Sequence, residues 1–229
     1  KKYGIKHIIG CEVYMVDDQS HQSDSKEYKQ PRYHLVLLAK NQCGLKNLFQ
    51  IVSNACIEGF YKKPRTSLDV IKRNGWGDGL ICLTACQAGY VSKMLVADNE
   101  LEAYDFYSQC EKVFDKTFVE IQSHATQDQD AANKKLKDFI KHYSLPYVIT
   151  TDAHMLSAED REAHSIFVQI SENREVGETY ADCYLQTSAD VHRILDNRLG
   201  VDFVSHGISN TSDVADMIDD IDIGLGSDA

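Results

Sequence analysis

The chain has 229 residues, 43% of them hydrophobic, with only 3 Pro and 13 Gly, which fits a folded protein with a real core and excludes collagen-like and disordered classes. A net charge of −11 makes it a poor stand-alone binder of nucleic acid, because phosphate contacts need clustered Lys and Arg; a larger enzyme could carry its basic surface elsewhere. The seven cysteines include no CxxC pair, which argues against a zinc ribbon or a thioredoxin motif.

The chain opens without Met at KKYGIKHIIG and ends abruptly at DIGLGSDA, so we read it as a fragment of a longer protein. With no signal peptide and no apolar run of membrane length, we expect a cytoplasmic location and no membrane partner.

Apolar alternation predicts strands and a 3.6-residue spacing predicts helices. HIIGCEVYMV (7–16) reads as a strand, 17–32 as a polar loop and YHLVLLAK (33–40) as a second strand. From Gly44 to about Phe60, Leu45, Leu48, Phe49, Val52 and Cys56 fall on one helical face. YKKPRT (61–66) is a basic turn, after which Ser67 caps a short helix over LDVIKRNG. GLICLTAC (79–86) is a third strand, followed by a helix near 98–114 with Leu101, Tyr104, Tyr107 and Val113 inward. TFVEIQSH (117–124) is a fourth strand, 128–143 an amphipathic helix, and YVITTDAH (147–154) a fifth strand. Residues 157–170 open with the pair Ser157 and Asp160, a capping signature. Beyond 171 we expect a short strand CYLQT, a helix from Ser188 and another over SNTSDVADMIDD. Strands alternating with helices predict a parallel α/β sheet or barrel, whose chemistry collects at the carboxyl ends of the strands.

Those strands carry metal-ligand residue types: Glu12 in the first, His34 opening the second, Cys86 ending the third, Glu120 and His124 in the fourth, Asp152 and His154 ending the fifth. In an extended chain residues i and i+2 share a face, so Asp152 and His154 point towards a common centre. A divalent cation there would offset the desolvation of the carboxylate and keep the imidazole neutral. Two or three such cations would polarise a phosphoryl oxygen and activate water, which is phosphoester hydrolysis. Taken singly, each residue has a plainer reading. Glu12 fits a buried carboxylate paired with Lys or Arg, His34 a hydrogen-bonded core histidine, and Cys86 a small core hydrophobe. His124 fits a cap or a pocket lining, and Glu120 belongs with it. Only the set, one ligand type per strand, carries weight.

IKHIIGCEVYMV, YHLVLLAKNQCGLKNLFQIVS, EGFYKKPR, LTACQAGYV, VEIQSH and LPYVITTDAHMLSAEDREAH follow one another in an order that resembles the PHP (polymerase and histidinol phosphatase) domain of bacterial or phage DNA polymerase III alpha subunits. The resemblance is strong over residues 2–170, which we take as the barrel, and weaker over 171–229, taken as the end of the domain and the start of a linker to the polymerase palm. It implies an incomplete, distorted (β/α)7 barrel followed by a small helical segment. It also implies a site for divalent zinc, manganese or iron in which Glu12, His34, Asp152 and His154 serve catalysis and, with Cys86, ligate metal. Glu12 would bridge two metals and Cys86 would bind as thiolate. The implied partners are DNA, through the rest of a polymerase, and replisome subunits such as a sliding clamp and an exonuclease subunit. The implied activity is that of a DNA-directed DNA polymerase fragment whose site is a phosphoesterase or 3′–5′ exonuclease. A non-catalytic scaffold domain and a free-standing PHP phosphatase are the alternatives; EGFYKKPR argues against the second. The chain departs from the family in having no H-x-H motif, in Tyr90 where Glu is common, and in a long 17–32 loop, so the implied ligand set is incomplete.

Overall fold

The computed structural model describes residues 4–22, 30–124, 126–172 and 182–223. Five strands form one sheet in chain order: β1 (Gly10–Met15), β2 (Tyr33–Ala39), β3 (Leu80–Leu83), β4 (Lys116–Gln122) and β5 (Tyr147–Thr150). The helices are α1 (Gln42–Ile57), α2 (Leu68–Arg73), α3 (Tyr90–Val96), α4 (Glu100–Val113), α5 (Gln127–Tyr143), α6 (Arg161–Glu172), α7 (Ser188–Leu199) and α8 (Val201–Met217).

The sheet is mixed rather than parallel. β1 runs antiparallel to β2 and β2 antiparallel to β3, whereas β3–β4 and β4–β5 are parallel. The connections account for part of the difference, although β2 and β3 pair antiparallel across a connection that contains α1 and α2. The β3–β4 and β4–β5 crossovers contain helices, as parallel pairing requires. No helix lies between β1 and β2 among the described residues, although 23–29 of that loop fall outside them. Strand–helix alternation predicts a parallel sheet or barrel, and the β1–β2 and β2–β3 pairs depart from it.

Helix starts follow the sequence closely. Asn41 accepts from Gly44 N–H, Ser67 from Val70 N–H and Thr126 from Gln129 N–H. The Ser157–Asp160 capping box forms, and a second forms between Thr187 and Asp190. Helix faces are less faithful. In α1 the buried residues are Gly44, Leu45, Leu48, Ile51 and Ala55, while Phe49 and Cys56 are exposed. Leu101, expected inward, faces solvent; α4 buries Tyr107, as expected, together with Ala103 and Cys110. The helix at 209–220 begins earlier, at Val201, and CYLQT contributes only a single bridge from Tyr184 to Met155.

Two large cores cover one face of the sheet. Val13, Met15, Leu35, Leu37 and Cys82 pack against Leu48 and Ile51 of α1, Ile71 of α2 and Cys110 of α4. Val119, Ile121, Tyr147 and Ile149 pack against α3, α4, α5, α7 and α8. The other face is apolar at one end, where Ile81, Leu83, Phe118 and Val148 meet Val214, Ile218 and Ile221. Helices α7 and α8 therefore belong to the same packed body as the strands.

One close approach sets the spacing of α1 and β3. A Cβ on Gly44 would lie 1.8 Å from the carbonyl oxygen of Gly79, itself at φ +71°. Backbone cannot yield as a side chain can, so Gly44→Ala is expected to cost about 3 kcal/mol. A fall in the urea midpoint of unfolding would register it, and an unchanged midpoint would show that the helix can slide.

Candidate metal centre

The strand register decides what the polar end of the second face presents. Directly paired residues share a face, and alternate residues of one strand do too. Tyr14 pairs with His34, and Glu12 with Val36, so Glu12 and His34 are diagonal neighbours on that face. Val36 pairs with Leu83, Leu83 with Phe118, Glu120 with Val148 and Gln122 with Thr150. One face thus carries Glu12, His34, Glu120 and Gln122 beside its apolar plug.

The loops beyond β3 and β5 complete the site. β5 ends at Thr150, so Asp152 and His154 lie past the strand rather than in it. Asp152 adopts φ +44°, which rules out the extended i, i+2 argument. The loop is held from outside: the carbonyl oxygen of Cys183 accepts from the His154 and Met155 N–H groups at 2.7 and 3.1 Å. Ala85, just before Cys86, also has positive φ, at +63°. Non-glycine residues in this region cost about 1–3 kcal/mol and cluster at functional sites. Ala88 N–H donates to Cys86 Sγ at 3.3 Å, and its carbonyl accepts from His34 N–H, which ties the loop to β2.

All five residues expected as ligands, Glu12, His34, Cys86, Asp152 and His154, line one pocket of about 160 Å³. Gln87, Ala88, Gln122, His124, Gln129 and Cys183 complete its wall. His34 Nδ1 stands 2.7 Å from Glu12 Oε1 and 3.5 Å from Cys86 Sγ. The Cys86 and Glu12 hydrogen bonds raise the His34 pKa to about 10, and the His34 hydrogen bond lowers that of Glu12. His154 Nδ1 lies 2.7 Å from the Asp152 carbonyl oxygen and 3.8 Å from its Oδ1. His124 Nε2 lies 3.2 Å from the Thr151 carbonyl oxygen and 3.5 Å from Cys183 Sγ; burial lowers its pKa. Burial pushes the Cys183 thiol up to about 12.

Among the described residues no group of three or more His, Cys, Asp or Glu side chains is arranged to hold one metal ion. The donors are turned onto one another instead. The wall nevertheless has the composition a divalent transition metal takes, with imidazole, carboxylate and thiol facing one cavity. By donor chemistry and convergence the residues fit such an ion; by side-chain direction they would have to turn to meet it.

Cys183, Gln122 and Gln129 were not among the expected site residues. Cys183 sits in a segment read only as a short strand. Gln122 was legible, since it follows Glu120 by two residues on the same strand and so shares its face. His124 does line the pocket, which was its plainer reading.

The PHP domain family pattern matches residues 1–124, and the chain belongs to that family. Over nearly its whole length it is also similar to polymerase subunits. The DNA polymerase III subunit alpha of Borreliella burgdorferi is 32% identical over 97% of this chain and 19% of its own. That of Thermus aquaticus is 29% identical over 97% of this chain and 18% of its own. The DNA-directed DNA polymerase of Bacillus phage SPbeta is 29% identical over 95% and 18%. The chain spans less than a fifth of the length of these relatives. No helix among the described residues is long and apolar enough to cross a membrane.

Proposed function

We propose that this chain is the PHP portion of a replicative DNA polymerase and that its pocket is a metal-dependent phosphoesterase site acting at the 3′ end of DNA. The observation that carries the site is the gathering of Glu12, His34, Cys86, Asp152 and His154, from separate strands and loops, around one cavity. Those five residues would hold divalent zinc, manganese or iron, with further ligands from outside the set. The bound cations would supply positive charge against phosphoryl oxygens and lower the pKa of water. The chain's own residues fix the donors in place. Cys183 clamps the Asp152–His154 loop through its carbonyl oxygen, and Ala88 holds both Cys86 and β2. The Glu12–His34 hydrogen bond favours a protonated imidazole, so His34 must give up one proton before it can ligate.

In this reading residues 1–170 build an incomplete (β/α)7-type barrel, and 171–229 complete the domain and begin a linker. The working compartment is the cytoplasm. The partners are DNA and replisome subunits, including a sliding clamp and an exonuclease subunit. A scaffold reading has its own support: Ile166, Phe167 and Ile170 of α6 are 51%, 68% and 78% exposed, an apolar surface suited to protein contact.

Incubation of the purified full-length protein with a 5′-labelled single strand, with zinc, manganese or iron in turn and with a chelator, tests the choice. Shortening from the 3′ end only with metal supports the enzyme. No shortening with any of the three metals, in protein that retains them, overturns it in favour of the scaffold.

A further inference from the structure

Two amides on the pocket wall are left half-used. Gln122 on β4 and Gln129 in the first turn of α5 are 2% and 1% exposed, and both line the pocket. The Oε1 atom of each is buried and has no hydrogen-bond partner. Their amide nitrogens are committed. Gln122 Nε2 donates to Glu120 Oε1 at 3.3 Å, and Gln129 Nε2 donates to Asn133 Oδ1 at 3.0 Å. Asn133 Nδ2 in turn donates to the Gln122 carbonyl oxygen at 2.8 Å, joining the two residues. The hydrogen bonds fix the orientation of both amides: turning Gln122 over would set its oxygen against Glu120 Oε1, which already accepts from Thr150 Oγ1, and the Asn133 bond to Gln122 leaves Asn133 Oδ1 to accept from Gln129. Two acceptors without donors, each almost fully buried, are costly to leave unmade.

We propose that Gln122 and Gln129 form a hydrogen-bond-accepting subsite beside the metal-ligand rim that receives a hydroxyl group of the substrate; this rests on the phosphoesterase reading above. Neutral amide oxygens suit a neutral donor, whereas an ammonium group would pair with Glu12 or Asp152 on the same wall. At the 3′ end of DNA the neutral donor that every terminal nucleotide carries, whatever its base, is the sugar hydroxyl. A site built to accept from a hydroxyl rejects the analogue that lacks it, because its own acceptors then stay unpaired.

Calorimetric titration of the manganese-loaded full-length protein with thymidine 5′-monophosphate and with its 3′-deoxy analogue tests this. Each carries the same phosphate, and thymine has no exocyclic amine. Thymidine monophosphate is expected to bind about tenfold more tightly than the analogue. The near-isosteric variants Gln122→Met and Gln129→Met should bind the two alike. Equal affinities in the wild-type protein, or a preference that survives in both variants, would overturn the subsite alone. Failure of both nucleotides to bind the wild-type protein would overturn the phosphoesterase reading and the subsite together.

Discussion

Asp152→Asn and His154→Ala are each expected to weaken metal binding by well over the roughly 10–100-fold that outer-shell partners are worth, with little change in the stability of the metal-free protein. Asparagine is the suitable replacement at 152 because the residue sits at φ +44°, a region Asn adopts more readily than Ala. The side chains of Asp152 and His154 are 30% and 39% exposed, so neither anchors the core. The backbone bonds from His154 and Met155 to Cys183 do not involve the altered atoms and should persist. Changes at such part-exposed positions usually stay within about 0.5 kcal/mol. Elemental analysis after dialysis, paired with denaturant unfolding in chelator, separates the two effects. Unchanged metal content in both variants would refute the assignment of this loop.

Glu120→Gln is expected to abolish a pH dependence of stability that the metal-free protein owes to one carboxyl. Burial raises the Glu120 pKa to about 7 from 4.5, despite hydrogen bonds from Thr150 Oγ1 at 2.6 Å and from Gln122. Its Oε2 is buried without a partner, and Asp152 and Glu12 add like charge. Below pH 4.5 the group is protonated in both folded and unfolded chains, and stability is at its full value. As pH rises, the unfolded chain releases the proton first, so stability falls until the folded pKa near 7 is passed. The fall amounts to about 3 kcal/mol. Denaturant unfolding of wild type and Glu120→Gln in chelator, from pH 4 to 8, should show curves that diverge across this window, with the variant favoured at the upper end. Parallel curves would mean that Glu120 is hydrated or ionised without cost in the folded protein.

The lining of the pocket was more legible in the sequence than the direction of the strands. Ligand-type residues stand out because carboxylates and imidazoles are costly to desolvate beside β-branched runs, and the chain brings the middle of β1, the start of β2 and the loops after β3 and β5 to one pocket. Strand direction has no such marker: the 17–32 loop reads as polar without saying whether it reverses the chain or crosses the sheet. Helix starts were legible because caps are local, as at Ser67 and Ser157. Burial was not, because it depends on neighbours: Phe49 and Leu101 match the helical period yet face away from the cores. The Asp152–His154 pair was found by an argument that assumed an extended chain. The loop brings both residues to the pocket by another route, through a positive φ and a clamp from Cys183, some thirty residues further on, that no local pattern announces. Gln122 shares the face of Glu120 by its spacing, but the free acceptors of Gln122 and Gln129 escaped notice because they show only when hydrogen bonds can be counted.

Anomalous diffraction at the zinc edge, from crystals of the full-length protein grown with zinc, tests the convergence of donors most directly. Peaks are expected inside the cavity walled by Glu12, His34, Cys86, Asp152 and His154, with the His34 and Glu12 side chains turned from each other onto the ions. Zinc found only at other surfaces, with the His34–Glu12 contact intact, would contradict the account.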